Sequence, residues 1–357
     1  MFAPTNYLRW AHEHFPHASF DLGSSGVAGA ARPGVPLPVD IESASAWEGL
    51  RERIAIYNGV PSEEVLPALG TSHALWTAYA SLLAPGDEVL VESVRYEPLH
   101  RIAEGVGART AFFERRIEDG FALDPACVER AMTDRTRAIV LTNLHNPTGV
   151  RADDVAIRSI AAIAEKRGAY VLVDEVYAPF DTLTDGRGVW GRSARRLAPN
   201  IVAVGSLTKC YGLGPHRVGW MLGPSEVIAR GNDARIASVG ELPRSWAAMA
   251  ASAFDTLPSF AEWSRANVMG KQARVEAWLR ARPHLAWSAP ADGLFGLAID
   301  RRTTADLTAR IEAGVRDHGV VVAPGAFFGV PNGFRLAWSL PEAKLDEALA
   351  RLARALD

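Results

Sequence analysis

One lysine, Lys209, stands where lysines are unusual. It follows the apolar run 201–206, which is typical of a buried strand, and it precedes a glycine-rich turn that is incompatible with a helix. Most lysines lie on solvated helix faces. Burial makes an amine lose its proton more easily, and the neutral amine is the form that attacks a carbonyl. We therefore predict covalent chemistry at Lys209, the alternative being a lysine in a surface loop.

Hydroxyl and guanidinium groups flank this lysine. Ser206 and Thr208 lie before it and Arg217 after it, and this combination suits a phosphate. An amine beside a phosphate site indicates pyridoxal phosphate as the cofactor. Residues 206–219 read Ser-x-Thr-Lys-x-Tyr-Gly-x-x-x-x-Arg-x-Gly, a pattern that resembles the Schiff-base lysine motif of the fold-type I aminotransferases of class I and II.

A carboxylate ends the strand-like run 170–174. Asp174 would then lie at the carboxyl end of a parallel strand, where open α/β sheets form their ligand crevice. A protonated pyridine nitrogen would be its partner, and the cationic ring would serve as an electron sink. The spacing to Tyr177 matches the family's Asp-x-x-Tyr, so the Tyr177 hydroxyl would reach the cofactor's phenolate oxygen. The alternative is an aspartate that caps the next turn.

Two further segments are expected at the same sheet edge. Asn146 begins an Asn-Pro-Thr-Gly turn after the run 138–143, and the resemblance implies that Asn146 binds the phenolate oxygen; the preceding His145 is interpreted as structural. The stretch Gly70-Thr71-Ser72 opens a helix whose free N–H groups and dipole would attract a phosphate. Gly-Thr-Ser is also a common capping sequence.

Three roles are implied by the resemblance alone. Tyr96 would stack on the pyridine ring, although a core tyrosine would give the same pattern. Gly26 would lie near the substrate carboxylate, or in an ordinary turn. Arg335 lies in an apolar strand pattern where a guanidinium needs a partner, which would be the substrate's α-carboxylate or an internal acid.

The order of the motifs along the chain matches the family from end to end. The matching residues are Gly70, Tyr96, Asn146, Asp174, Lys209, Arg217 and Arg335. The chain departs from the family in lacking a clear tyrosine between Val27 and Trp47, where a tyrosine often reaches the phosphate bound by the partner subunit. Tyr57 is the nearest candidate.

Composition favours a globular protein that binds small molecules. The chain has 357 residues, 48% of them hydrophobic and 22% charged, and its net charge of -3 provides no basic field for nucleic acid or membranes. Its two cysteines rule out a disulfide framework and leave no metal-type spacing. No signal peptide or membrane span is visible, so we expect a cytoplasmic protein.

Strand-like and helical segments alternate through the middle of the chain. This pattern predicts an α/β fold with a mostly parallel sheet covered by helices, and the resemblance implies a seven-stranded sheet. We place a large domain at residues 40–245, and a small α+β domain at residues 1–39 plus 246–357. The predicted strands are 88–93, 109–115, 138–143, 169–174, 201–206, 218–222, 285–288, 293–300, 319–324 and 334–339. The predicted helices include 43–58, 70–83, 124–133, 153–167, 260–282 and 304–317.

The expected activity is transfer of an amino group between an L-amino acid and a 2-oxo acid by a homodimer with active sites near the subunit interface. Lys209, Asp174 and Tyr177 would be catalytic. The same residues would suit a pyridoxal phosphate β-lyase or a cyclising enzyme of the capreomycidine synthase type. An effector-binding regulator of the aminotransferase-like kind is the non-enzymatic alternative, but such proteins carry a winged-helix domain before the fold, and this chain starts directly at the fold.

Overall fold

The computed structural model describes residues 3–29, 31–182, 190–290 and 293–356. The described residues form three β-sheets, which are built from short strands. They are β1 (Phe20–Asp21), β2 (Val65–Leu69), β3 (Glu88–Glu92), β4 (Arg109–Phe113), β5 (Thr136–Thr142), β6 (Tyr170–Asp174), β7 (Ile201–Ser206), β8 (Val218–Leu222), β9 (Leu285–Trp287), β10 (Phe295–Asp300), β11 (Val320–Val321), β12 (Ala323–Pro324) and β13 (Gly333–Ala337).

Helices separate most of these strands. They are α1 (Asn6–His14), α2 (Ala46–Asn58), α3 (Gly70–Leu82), α4 (Pro98–Gly105), α5 (Pro125–Ala131), α6 (Asp154–Glu165), α7 (Ser225–Val239), α8 (Arg244–Asp255), α9 (Leu257–Val268), α10 (Lys271–Arg280), α11 (Thr308–His318) and α12 (Glu342–Leu356).

The largest sheet has seven strands in the order β2-β8-β7-β6-β5-β3-β4. Strand β8 runs antiparallel to both of its neighbours, and the other pairs are parallel. The predicted α/β class with a mostly parallel sheet is therefore confirmed. Strand β2 escaped prediction because Pro67 interrupts its pattern, and a proline is tolerated there because β2 is an edge strand.

Both faces of the central strands are buried, which explains why β6 and β7 are nearly continuous apolar runs rather than alternating ones. The side chains of Val89, Val140 and Val204 pack on one face with α3, α4 and α7. Those of Leu90, Leu141 and Val173 pack on the other face with α5 and α6. Because successive side chains of a strand point to opposite faces, the same strands contribute to both layers of the core.

The remaining strands form two smaller sheets. Strands β12-β13-β10-β9 are antiparallel, and β1 pairs in parallel with β11. The single strand predicted over 319–324 is wrong, since its two halves join different sheets. Strand β1 was not predicted from the sequence, because the partner that supplies its hydrogen bonds lies about 300 residues away. The domain division at residues 40 and 245 stays a prediction.

The long helix predicted over 260–282 is also wrong. It is two helices, α9 and α10, and Gly270 between them adopts a left-handed conformation with φ of 80°. The helical apolar spacing continues through this break, so periodicity alone did not show it. No helix in the described part of the chain has the length and hydrophobicity needed to cross a membrane.

Candidate active site

A cavity of about 370 Å³ lies at the carboxyl ends of β5, β6 and β7. Three parallel strands end there, so their last residues and the loops that follow meet at one edge of the sheet. Most of the residues proposed from the sequence line this cavity. They are Thr71, Ser72, Tyr96, Asn146, Asp174, Tyr177, Thr208, Lys209 and Arg217.

Lys209 lies in the loop that follows β7, with its side chain partly buried against the cavity. Burial lowers the pKa of Lys209 to about 8, and the nearby cations Arg335 and Arg217 act in the same direction. The backbone oxygen of Lys209 accepts a hydrogen bond of 3.0 Å from Val27 N. The N-terminal segment therefore holds the lysine loop in place, and a substantial fraction of the amine is neutral near pH 8.

Asp174 is the last residue of β6, and its carboxylate is only 2% exposed. Its Oδ1 accepts a hydrogen bond of 3.0 Å from Val176 N. Burial raises the pKa of Asp174 to about 7, although Lys209 opposes this effect. A buried carboxylate without an adjacent counter-ion is costly, so this wall of the cavity favours a cationic partner.

Hydroxyl groups meet at the start of α3. Thr71 Oγ1 donates to Ser206 Oγ at 2.9 Å, and the hydroxyls of Ser206 and Thr208 are 2.7 Å apart. Gly70 has a φ of 78°, and a Cβ there would lie 2.4 Å from a guanidinium nitrogen of Arg217. A glycine is thus needed for Arg217 to approach the helix N-terminus. Ser72 is exposed at the cavity rim.

Tyr177 and the N-terminal segment meet beside the lysine. The Tyr177 hydroxyl donates to Ser25 Oγ at 2.7 Å, and burial raises the pKa of Tyr177. A Cβ on Gly26 would be 3.8 Å from Lys209 Cδ, so Gly26 lies directly against the lysine side chain. Tyr96 forms part of the facing wall, where its ring makes an edge contact with Tyr7 at 5.9 Å between ring centroids.

Arg335 is fully buried in β13 next to the cavity. Its guanidinium donates to Asn146 Oδ1 at 2.8 Å, to the Tyr7 hydroxyl at 2.7 Å and to the backbone oxygen of Gly23 at 2.8 Å. Its Nε has no hydrogen-bond partner, and in the described ranges no acidic side chain forms an ion pair with it. A buried cation with neutral neighbours favours an incoming carboxylate.

Apolar spacing over residues 4–15 predicts a short amphipathic helix, and α1 confirms it, but its position at the site was not predicted. Tyr7 contacts Arg335, and Leu8 and His12 line the cavity. No local signal connects this helix to a residue 328 positions away. Thr142, which was also missed, lines the cavity and accepts from Asn146 N at 2.9 Å.

Two residues lie away from the site. His145 is buried outside the cavity, where its ring contacts the Thr148 hydroxyl and the backbone oxygen of Val94 at 2.6 and 2.5 Å. Burial lowers the pKa of His145, which fits a structural role. Tyr57 is only 1% exposed, and its hydroxyl lies 2.9 Å from that of Tyr211. Tyr57 therefore does not present its hydroxyl to a partner subunit.

Pyridoxal phosphate fits this set of groups. Lys209 provides an amine for its aldehyde, and the buried Asp174 provides an anion for its ring nitrogen. The glycine-lined helix N-terminus, with its hydroxyls and Arg217, provides a phosphate site.

Comparison with known proteins agrees with this geometry. Residues 47–352 match the family model described as aminotransferase class I and II. The chain is 30% identical over 331 residues to the aspartate/prephenate aminotransferase of Thermus thermophilus, covering 87% of this chain and 80% of that protein. It is 28% identical to the capreomycidine synthase of Streptomyces vinaceus, and the match covers 97% of this chain and 92% of that protein. A solved aminotransferase from Streptococcus suis, described as PLP-dependent, shares its fold, with a TM-score of 0.84, 22% identity and coverage of 99% and 98%.

The chain therefore belongs to the class I and II aminotransferases. It is a transferase of the fold-type I group, and its cofactor is pyridoxal phosphate.

Proposed function

We propose that the cavity around Lys209 is where this aminotransferase moves an amino group from an L-amino acid to a 2-oxo acid. One observation carries this proposal above the others. A lysine of lowered pKa and a buried carboxylate line the same cavity, and a buried arginine without an acidic partner among the described residues is bonded to Asn146 in the cavity wall. The lysine would bind the cofactor's aldehyde, the carboxylate would bind its ring nitrogen, and the arginine would bind the carboxylate of the substrate.

Each polar side of the cofactor has a group to hold it. Lys209 would bind the aldehyde, Asp174 the ring nitrogen, and Tyr96 the face of the ring. Asn146 uses its oxygen for Arg335, which leaves its NH2 group, together with the Tyr177 hydroxyl, for the phenolate oxygen. The phosphate would be bound by Thr71, Ser72, Ser206, Thr208 and Arg217 at the helix start opened by Gly70. When bound, the cofactor supplies an electron sink for the bonds of the substrate α-carbon.

Arg335 would hold the substrate by its α-carboxylate. Its planar fork donates in two parallel directions, and neutral oxygens already fix its orientation. Gly26 lies beside Lys209, where the absence of a side chain leaves room for the substrate. Together these residues present the α-carbon to the lysine amine.

Lys209 would then act as the general base. Its Nζ would remove the proton from the substrate α-carbon and hold it for return, while the bound cofactor would supply the electron sink. The lowered pKa of Lys209 supports this role, because a large fraction of the amine is free to accept a proton near pH 8. Asp174 keeps its negative charge against the ring throughout.

The test is the variant Lys209→Ala, with Lys166→Ala as an exposed control. We expect Lys209→Ala to lose the absorbance of the lysine-bound cofactor and to lower the transamination rate by at least ~100-fold, the usual contribution of a general base. The control should match the wild type in both measurements. A Lys209→Ala enzyme that transaminates at the wild-type rate would rule out this proposal.

We further propose a cytoplasmic homodimer. The chain has only two cysteines, Cys127 and Cys210, and such low cysteine usage suits a reducing compartment. Leu37, Val39 and Ile41 lie close together in the chain and have large exposed fractions, and exposed apolar side chains favour burial against another subunit. Sedimentation equilibrium with Val39→Asp as the variant tests the dimer, which the substitution should weaken.

A cyclising reaction is the second candidate, because the likeness to the capreomycidine synthase extends over 97% of this chain. The two reactions differ in what happens without a 2-oxo acid. An aminotransferase converts its cofactor once to the amino form and stops, whereas a lyase or a cyclising enzyme turns over continuously. Product formation with an amino acid alone, followed for several enzyme equivalents, separates the two.

A further inference from the structure

A second cavity of about 350 Å³ lies on the other side of Lys209. It shares Leu8, His12, Tyr96 and Thr208 with the first cavity, so the two spaces meet at the lysine. Gly26 lines this second cavity and contacts the lysine side chain. A molecule that reacts at Lys209 can therefore extend directly into it.

The proposed substrate anchor directs the substrate toward this second cavity. Arg335 donates both to the Tyr7 hydroxyl and to the backbone oxygen of Gly23, and Tyr7 and the neighbouring Ser24 line the cavity. A carboxylate on Arg335 and an α-carbon at Lys209 leave the side chain of an amino acid facing this space. The argument rests on the proposed function, since that function places the α-carboxylate on Arg335.

The wall formed by α1 is tied to the rest of the fold at two points. Tyr7 N donates to the buried carboxylate of Glu97 at 2.6 Å, at the start of α4. Trp10 Nε1 donates to Glu312 at 2.9 Å in α11. The helix is thus tied to two different parts of the fold, and Leu8 lies between the two ties. The cavity is largely pre-formed and so favours a ligand of matching shape.

The lining is neutral apart from the lysine itself. Rings and hydrocarbon groups dominate it. Its other polar groups are the hydroxyls of its serines, its tyrosines and Thr208, and the exposed imidazole of His12. The apolar members are Tyr7, Leu8, Ala11, Phe15, Val27 and Tyr96. Among the described residues that line it, none is an aspartate, a glutamate or an arginine.

This chemistry discriminates between classes of side chain. With Arg335 bound to the α-carboxylate and Lys209 bound to the cofactor, a charged side chain of either sign loses water on entering this cavity. A cationic side chain finds no carboxylate among the described lining residues, and an anionic one finds only the imidazole of His12 at the rim. A ring, in contrast, loses little on leaving water and contacts Phe15, Leu8 and Val27. We propose that this second cavity binds the substrate side chain and that the preferred amino donors carry a neutral aromatic side chain.

The test uses equilibrium binding of carboxylates that cannot react, measured by calorimetry on the holoenzyme. The probes are 3-phenylpropionate, succinate and 4-guanidinobutyrate, with propionate as the short reference. We expect 3-phenylpropionate to bind ten- to hundred-fold more tightly than propionate, because a ring leaves water. Succinate and 4-guanidinobutyrate should bind no more tightly than propionate. Tighter binding of either charged probe than of 3-phenylpropionate overturns the proposal.

Two substitutions in the cavity wall test whether the ring of the probe binds there. Leu8→Ala and Val27→Ala, on two different walls, should each reduce the affinity ratio of 3-phenylpropionate to propionate by at least ~threefold. Val155→Ala is the control, since Val155 is an exposed aliphatic residue of α6. It should leave the ratio unchanged. An unchanged ratio in both cavity variants would show that the ring binds elsewhere and would refute the assignment.

The two proposals fail in different ways. If amino transfer from every L-amino acid tested is absent, the proposed function fails, yet the binding ratios still decide the chemistry of the cavity. If transfer from L-alanine or L-aspartate proceeds but L-phenylalanine is no better than L-alanine, transamination stands and the aromatic preference is wrong.

Discussion

Replacing Asp174 with asparagine separates what this carboxylate does to the apoprotein from what it does for the cofactor. In the apoprotein the carboxylate is 2% exposed and has no cationic side chain bonded to it in the described residues. Its pKa rises from 3.8 to about 7, mainly through burial. One pH unit corresponds to about 1.4 kcal/mol, so ionised Asp174 destabilises the apoprotein by up to roughly 4 kcal/mol at pH 8.

The direction in which stability changes with pH follows from the direction of the pKa change. Because the folded pKa lies above the unfolded one, the associated stability is fully present below about pH 4 and is lost as the pH rises through 7. Asparagine carries no charge and still accepts from Val176 N. The Asp174→Asn apoprotein should therefore be more stable than the wild type, and its advantage should grow by roughly 2–3 kcal/mol between pH 5 and pH 8.

Urea unfolding of both apoproteins at pH 5 and pH 8 measures this difference. Burial also raises the pKa of Glu175, to about 8, and the charge of Asp174 adds to that rise. The substitution therefore relieves Glu175 as well, which stabilises the variant at pH 8 in the same direction. In the holoenzyme the order should reverse, because asparagine does not neutralise a cationic ring nitrogen, and transamination should fall by at least ~100-fold. A free-energy difference that is the same at both pH values, or an apoprotein destabilised by the substitution at pH 8, would refute the reasoning.

Three other substitutions or conditions test separate parts of the site. Cofactor uptake by the apoenzyme should accelerate with pH and level off above about pH 8, because the lowered pKa of Lys209 makes the neutral amine abundant there. Stopped-flow absorbance measures the rate of uptake. A rate that still rises tenfold per pH unit at pH 9 would contradict this prediction. Gly70→Ala should weaken phosphate binding and destabilise the protein by about 1–2 kcal/mol in thermal unfolding. Gly86→Ala is the control, because Gly86 has a similar positive φ but lies in open space. It should lower stability without changing cofactor affinity. Tyr7→Phe should raise KM for the amino donor by about tenfold with little change in kcat, because the Tyr7 hydroxyl orients Arg335; an equal fall in kcat at unchanged KM would argue against that role.

Local sequence patterns were sufficient to predict which residues at the ends of strands belong to the site. Lys209, Asp174 and Asn146 each come after an apolar run, and the carboxyl ends of parallel strands meet at one edge of a sheet. Their convergence on one cavity therefore follows from chain order and strand direction. Arg335 was also recognisable, because a guanidinium in an apolar strand needs a partner, although its contacts to Tyr7 were not.

Long-range pairing explains the errors in the predicted elements. Strand β2 contains Pro67 and is stable only because β8 supplies the hydrogen bonds along one edge. The run 319–324 looks like one strand, but β1 pairs with its first half and β13 with its second. Which partner a short strand finds depends on the packing of the whole fold, and this information is absent from a local window.

The sequence by itself determined the cofactor and the fold class, since both follow from contiguous motifs and from the alternation of apolar segments. Only the tertiary structure decided which residues surround the substrate. Helix α1 contacts Arg335 across 328 positions of the chain, and its Leu8 and His12 lie at the junction of two cavities. Such contacts arise from side-chain packing between distant elements, which no residue spacing encodes. The lysine and its chemistry are therefore readable from the chain, whereas the neutral cavity beside the lysine exists only in the folded protein.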